Sequence, residues 1–193
     1  MGKGRIEAFS DGVIAIIITI MVLELRVPHG ADLATLQPLI PVFLSYLLSF
    51  IFIGIYWNNH HHTFQAVHSV TGRVLWANLH LLFWLSLVPF VTAWMGENHF
   101  ERGPVALYGV VLFNAGVAYF ILVRALIAHH GADSPIALAV GRDRKGIAST
   151  AIYAVAICCA FVDPRISCAL YVVVAMIWFL PDPRIERVLL RDE

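Results

Sequence analysis

Long apolar runs, separated by short polar, proline-containing or glycine-containing stretches, dominate this sequence of 193 residues. A helix that spans a bilayer needs about 20 mostly apolar residues. Membrane β-barrels would instead show alternating hydrophobicity over stretches of about ten residues. The pattern therefore predicts an all-α, polytopic membrane protein with six transmembrane helices at about 5–27, 39–63, 73–95, 104–128, 145–162 and 164–180. The last two helices are short, which favours a tight hairpin.

Composition supports the same class of protein. The chain is 60% hydrophobic and 13% charged, whereas an ordinary globular domain is about half apolar and about a quarter charged. We expect one domain over residues 1–193, because no stretch is long or polar enough to be a linker. The net charge of zero gives no electrostatic footprint for nucleic acid. Cys158, Cys159 and Cys168 fall in apolar runs, which favours buried thiols over a disulfide framework.

The positive charges predict the orientation. Lysine and arginine accumulate in cytoplasmic loops of membrane proteins. With six spans and a cytoplasmic N-terminus, three of the 13 cationic side chains lie outside, namely Arg26, Arg102 and Arg165. We therefore predict a multi-pass protein of the cell membrane with both termini cytoplasmic. The tail from Asp182 is expected to be a short cytoplasmic helix or disordered.

The first predicted helix begins with an unusual set of polar residues. Arg5, Ser10 and Asp11 precede a run that is almost entirely apolar. Charged groups near membrane depth usually find partners, and Asp11 repels Glu7 on the same helix face. Asn58, Asn59 and the first histidines of the second helix are candidate partners, as are Asn78 and His80 of the third. Alternatively, Ser10 or Asp11 caps a helix that starts later.

An apolar stripe follows this polar start. Ile16, Ile20 and Leu23 share one helix face, with Thr19 beside them. Because every neighbouring position is also apolar, periodicity does not distinguish a face that contacts lipid from one that contacts protein.

Three consecutive histidines, His60, His61 and His62, raise the alternative of a metal-binding membrane enzyme. Consecutive helical residues diverge by about 100°, so these side chains are poorly placed to chelate one ion together. We therefore predict no metal and no cofactor. A small secondary transporter is a second alternative, although no acidic residue lies at mid-membrane depth, where such proteins often keep one.

Three motifs resemble one known family. Arg5-x-x-x-Phe9-Ser10-Asp11 before an Ile/Thr-rich run is similar to the signature of the transmembrane-protein-175 family of potassium channels. The second helix carries Tyr56-Trp57-x-x-His60-His61, which resembles that family as well. So does Asn78-Leu-x-Leu-Leu, followed by Ser86-Leu-x-Pro89-Phe90, on the third helix. The resemblance is close in the first half and looser in the second. Ile14 stands where the family usually has an aromatic residue.

The resemblance implies a homotetramer with one six-helix repeat in each chain and the first helices around a central pore. Ile16 would form the hydrophobic constriction, Ile20 and Leu23 further rings, and Thr19 a layer that contributes to selectivity. Arg5, Ser10 and Asp11 would fix the pore helix by hydrogen bonds to the second and third helices. We predict His60, Asn78 and His80 as their partners in this hydrogen-bond clamp.

The predicted function is a channel for potassium and other monovalent cations, not an enzyme. A ring of isoleucines offers little direct liganding when widened, so only weak selectivity for potassium over sodium is expected. Proton permeation is a further activity that the resemblance implies. The predicted partners are monovalent cations, the lipid bilayer and further copies of the chain.

Overall fold

The computed structural model describes residues 2–141 and 143–179, apart from the side chain of Ala139. Its helices are α1 (Gly4–Leu23), α2 (Ile40–Gln65), α3 (Gly72–Ser86), α4 (Val88–Glu97), α5 (Arg102–His130), α6 (Pro135–Val140), α7 (Arg144–Cys159) and α8 (Pro164–Phe179). A 3₁₀ segment, Leu33–Leu39, leads into α2. The described residues are helical and contain no strand, which confirms the predicted all-α class, while the six spans and the assembly around a pore stay predictions. The tail predicted from Asp182 lies outside the described residues.

Four helical stretches in the described residues are long and apolar enough to cross a membrane. They are Gly4–Leu23, Leu33–Gln65, Gly72–Glu97 and Arg102–His130. At about 1.5 Å per residue, even the first of them, with 20 residues, reaches the thickness of a hydrocarbon core, about 30 Å. α8 is a shorter apolar helix. The chain is therefore a multi-pass membrane protein.

The third apolar run, expected as one helix over 73–95, is divided at Leu87 into α3 and α4. Pro89 lies in the first turn of α4. Proline has no backbone N–H and its ring crowds the preceding turn, so the hydrogen-bond ladder is interrupted here. Both parts remain within one apolar stretch of 26 residues, Gly72–Glu97.

The packing places α5 in the middle of the chain and α1 at its side. α5 packs against α3, α4, α7 and α8, whereas α1 packs against α2, α3 and α4. α7 and α8 pack against each other. Because neighbours cover only one side of α1, its opposite face is open.

The three cysteines are free thiols, as expected, but they are not all buried. Cys158 is exposed, and Cys159 and Cys168 are half-buried. All three lie on α7 or α8, whose outer faces are apolar and are not covered by the other helices of the described residues. An apolar position in a membrane protein therefore does not imply a buried one.

Glycines allow helices to approach closely at two points. A Cβ atom at Gly96 would lie 2.5 Å from Ser45 Oγ and 2.7 Å from the backbone of Val42. Gly109 lies under the ring of Tyr171, whose hydroxyl donates to the Val105 carbonyl over 3.0 Å. These contacts hold α4 against α2 and α5 against α8.

A buried polar cluster joins α2, α4 and α5. The hydroxyl of Ser49 is hydrogen-bonded to those of Thr92, over 2.6 Å, and Tyr108, over 2.9 Å. All three side chains are buried. Hydrogen bonds between transmembrane helices contribute about 1 kcal/mol each, so this cluster fixes the register of α2, α4 and α5 relative to one another.

Candidate functional site on the first helix

The first helix has two distinct faces. Its buried face carries Ile6, Ser10, Ile14, Ile17 and Met21. The opposite face carries the predicted stripe, in which the exposed fraction is 58% for Ile16, 42% for Ile20 and 79% for Leu23. Thr19 is also exposed. A single chain therefore leaves this apolar helix open along one face, which suits contact with lipid or with further copies.

The exposed stripe is a ladder of side chains, one turn apart. Successive turns rise by about 5.4 Å, so Ile16, Ile20 and Leu23 lie at three successive levels. The Thr19 hydroxyl donates to the Ile16 carbonyl over 2.9 Å. Because its hydrogen points along the helix, the lone pairs of its oxygen remain available on the open face.

A buried chain of hydrogen bonds holds the other face of α1. Asn78 Nδ2 donates to Ser10 Oγ over 2.9 Å, and Asn78 Oδ1 lies 2.8 Å from His60 Nε2. All three side chains are at most 1% exposed. Asn78 of α3 thus joins α1 to α2 where water is excluded and an unmade hydrogen bond is costly.

Asp11 has a partner that the sequence did not indicate. Trp57 of α2 donates its indole N–H to Asp11 Oδ1 over 3.0 Å. Trp57 follows Tyr56 near the end of the apolar run, where tryptophan usually indicates a membrane interface. The chemistry of the two side chains could have indicated this pair. An indole N–H can only donate a hydrogen bond, and the Asp11 carboxylate requires a donor.

Lys3 forms a further link between α1 and the end of α2. Its ammonium donates to the carbonyls of Phe64, over 2.8 Å, and Gln65, over 3.3 Å. These carbonyls belong to the last turn of α2, where a cation is favoured by the helix dipole. Lys3 also lies 3.9 Å from the Glu7 carboxylate. The beginning of α1 is therefore attached to the end of α2.

Two residues of the predicted clamp, Arg5 and His80, form no hydrogen bond between α1 and a neighbouring helix within the described residues. Arg5 is exposed and makes no hydrogen bond or ion pair with the described part of the chain. His80 is exposed and accepts a hydrogen bond from Trp84 of its own helix over 3.0 Å. The structure thus brings together Ser10, Asn78 and His60, with Asp11 held separately by Trp57.

The consecutive histidines serve different contacts. His60 belongs to the buried chain with Asn78, whereas His61 lies 2.9 Å from Gln65 and stacks on Trp57. Within the described residues, no group of three histidine, cysteine or acidic side chains is placed to hold a metal ion.

The far end of α1 is held more weakly. Arg26, just beyond the helix, lies 3.0 Å from the Glu97 carboxylate, and both side chains are largely exposed. Exposed ion pairs contribute about 0–1 kcal/mol. Glu24 and the ion pair border an open cavity of about 350 Å³ with Leu39 and Val42.

Comparison with known proteins identifies the class. A family model described as "Endosomal/lysosomal potassium channel TMEM175" matches residues 5–89. A protein named potassium channel from a Chryseobacterium species is 54% identical over 187 residues, which cover 97% of both chains. The endosomal/lysosomal proton channel TMEM175 of Gallus gallus is 30% identical over 145 residues, 67% of this chain but only 29% of that protein.

A solved structure agrees with these relatives. The crystal structure of a lysosomal potassium-selective channel TMEM175 homolog from Chamaesiphon minutus superposes with a TM-score of 0.79 and 30% sequence identity, covering 92% of this chain and 96% of that one. The fold is that of a helical membrane channel. The chain belongs to the TMEM175 family of potassium channels.

Proposed function

We propose that this protein is a potassium-permeable cation channel whose conduction path lies between the first helices of four copies. Its family supports the activity, since its Chryseobacterium relative is named a potassium channel. The observation that carries the pore assignment is the exposed stripe of α1. An apolar helix locked on one face by buried hydrogen bonds and open on the other is suited to line a shared axis.

Ile16 forms the constriction in this proposal. Four copies of its side chain around an axis make a narrow apolar ring, which blocks conduction by dewetting when closed. Ile20 and Leu23 add wider rings at the next levels. Thr19 lies between the first two levels and presents its oxygen lone pairs, the polar contact available to a dehydrating cation.

The hydrogen bonds of the opposite face orient this stripe. Ser10, Asn78 and His60 fix the rotation of α1, and Trp57 fixes Asp11 at the same end. A rotation of one residue, about 100°, would remove Ile16 from the axis. These residues therefore position the pore helix and do not contact the ion.

The ring of isoleucines discriminates weakly between potassium and sodium, because it offers few ligands to either ion. Proton permeation accompanies potassium conduction in this proposal, since the relative in Gallus gallus is named a proton channel. Neither activity needs a cofactor or makes the protein an enzyme.

The proposed topology has six spans in the cell membrane, with α7 and α8 as the short hairpin and both termini cytoplasmic. The distribution of lysine and arginine supports it. Lys3 at the start of α1 and Arg73 at the start of α3 fall on the same proposed side. Residues 1–193 then form one channel domain.

Potassium flux from liposomes tests the activity, with sodium as the comparison ion. Purified protein is expected to release potassium down its gradient faster than sodium, and protein-free liposomes release neither. Verified, folded protein that passes no cation would overturn the channel assignment.

Substitution of Ile16 tests the pore separately. In a background without Cys158, Cys159 and Cys168, Ile16→Cys is expected to lose flux after a thiol reagent is applied. Ile17→Cys is the matched control, because Ile17 is its neighbour but only 3% exposed. Equal insensitivity of both variants in an active channel would exclude α1's open face as the pore.

A further inference from the structure

A cavity bordered by the described residues lies away from the open face of α1. It has a volume of about 430 Å³ and lies between α2, α5 and α7, with Trp178 of α8 at its border. None of its lining residues belongs to α1. Its volume is within the usual range for small-molecule sites, about 300–1,000 Å³. The proposed channel activity makes no use of it.

The cavity is elongated and changes from polar to apolar along its length. Its lining on α7 extends from Gly146 to Ala154, about 12 Å at 1.5 Å per residue. Asp143 lies at the end where α7 begins, whereas Phe52 and Phe113 lie among the apolar lining residues. Its shape therefore suits a slender molecule with one polar end.

Gly116 of α5 forms part of the cavity wall. A Cβ atom there would have only ordinary contacts, with Thr150 Oγ1 at 3.8 Å and the Tyr56 hydroxyl at 3.9 Å. In contrast to Gly96 and Gly109, this glycine has room for a methyl group without a steric clash. A larger side chain at Gly116 would project into the cavity.

The Tyr56 hydroxyl offers a polar contact within the cavity wall. It lies near Gly116 and makes no hydrogen bond with the described residues. Thr150, by contrast, is satisfied within its own helix, because it donates to the Gly146 carbonyl over 2.9 Å. Buried hydroxyl groups in apolar surroundings are usually hydrogen-bonded. A bound molecule with a polar group could therefore form a hydrogen bond with the Tyr56 hydroxyl.

Asp143 determines the charge of the polar end. One carboxylate oxygen accepts the Gly146 backbone N–H over 3.1 Å and caps α7. The side chain is half-buried, and this burial raises the pKa of Asp143, against the lowering effect of the Gly146 hydrogen bond. An anion in such surroundings gains more from a cationic partner than an anion in water does.

We propose that this cavity binds a single-chain lipophilic amine, with its ammonium group beside Asp143 and its apolar body between α2, α5 and α7. The acidic end favours an ammonium over a carboxylate of the same chain length. The volume admits one medium-length chain and excludes a complete two-chain lipid. Membrane-soluble molecules reach the cavity through the bilayer, independently of the pore.

Photolabelling of the full-length protein in nanodiscs tests this proposal. The probe is a medium-chain primary amine that carries a diazirine, compared with the alcohol and the carboxylate of equal length. We expect saturable labelling of the cavity lining on α2, α5 and α7, in the order amine, alcohol, carboxylate. Labelling spread evenly over lipid-facing helices would overturn the proposal.

Gly116→Leu should reduce amine labelling of the lining by about tenfold or more, because the leucine side chain would occupy the space of the probe's hydrocarbon chain. Gly116→Ala is the matched control and should retain labelling. Ala154→Phe fills the cavity from α7 and provides a second test if the leucine variant does not fold. Labelling unaffected by either folded large substitution contradicts the site.

Asp143→Asn tests the charge, because asparagine also caps helices. The preference for amine over alcohol, about fivefold for a partly exposed ion pair, should disappear in this variant while alcohol labelling persists. A preference that persists without the carboxylate would overturn the assignment of an amine. Potassium flux should be unchanged in the Gly116 and Asp143 variants, which separates this site from the pore.

Discussion

Trp57 donates its indole N–H to the carboxylate of Asp11 and thereby joins the end of α2 to the beginning of α1. The bond lies beside the buried chain of Ser10, Asn78 and His60 but shares no atom with it. Besides the contacts of Lys3, α1 is thus fixed by a buried set and an exposed set of hydrogen bonds. Their separation makes their contributions separately measurable.

Trp57→Phe should destabilise the purified protein by about 1 kcal/mol, because Asp11 loses a donor while the aromatic packing remains. The midpoint of thermal unfolding measures this effect. Trp76→Phe is the control, since Trp76 is 75% exposed and makes no hydrogen bond within the described residues. Equal midpoints for both variants would show that the indole bond does not contribute.

Asn78→Ala should cost about 2 kcal/mol, because it leaves both Ser10 and His60 without a partner in a buried place. Chemical denaturation of the protein in detergent gives the value. Asn98→Ala removes an exposed asparagine that bonds only to the Trp94 carbonyl of its own turn, and should change stability by less than about 0.5 kcal/mol. Comparable losses in the two variants would contradict the clamp.

Thr19→Val should bring the ratio of potassium to sodium flux closer to unity while conduction persists. Valine preserves the shape of threonine but lacks the oxygen that would face the proposed pore axis. Thr19→Ser restores an oxygen and should keep the wild-type ratio. Liposome flux of each ion measures the ratio. An unchanged ratio in the valine variant would remove Thr19 from the selectivity layer.

Gly96→Ala should destabilise the protein by about 1–3 kcal/mol, the usual cost of overpacking. The added methyl group would meet Ser45 and the backbone of Val42. Gly54→Ala is a matched helical control, because a Cβ atom there would meet nothing within 4 Å, and it should be neutral or stabilising by up to about 1 kcal/mol. Thermal unfolding of both variants distinguishes the two environments.

Asp143→Asn should raise the unfolding midpoint at neutral pH. Because burial raises the pKa of Asp143 above its ordinary value of 3.8, the charged form costs folding free energy above the raised pKa. The cost declines as the pH falls through that pKa and is absent below about pH 4, where both states are protonated. Midpoints measured across this range should therefore converge at acid pH. A constant difference at every pH would exclude the carboxyl group as its origin.

The sequence could predict much of the fold, because runs of about 20 apolar residues admit few structures other than membrane helices. The break at Leu87 was not predicted, although Pro89 was visible, since proline is tolerated in some transmembrane helices. The open face of α1 could not be predicted from periodicity, because Ile16 and Ile17 are chemically identical. Only the surrounding helices distinguish Ile16, which is exposed, from Ile17, which is buried.

The predicted hydrogen-bond partners of the polar residues at the start of α1 are correct only in part. Asn78 donates to Ser10 as expected, and His60 joins this chain through Asn78. His80, at the same depth, points to the other side of α3 and bonds to Trp84. Helical residues two positions apart separate by about 200°, so depth alone does not determine which neighbour is contacted. The cavity beside Gly116 depends on three helices at once and left no pattern in the sequence.

Because Lys3 attaches the beginning of α1 to the end of α2, the first helix is held more firmly at its beginning than at its other end. Lys3, Ser10 and Asp11 all hold its beginning, whereas beyond Ile17 it has the packing of Met21 and then the exposed ion pair of Arg26. When such a helix bends, the sideways displacement of its residues grows with their distance from the end that is held. In the proposed pore, Leu23 would move most for a given bending energy and Ile16 least. The narrowest proposed ring therefore lies where the helix moves least.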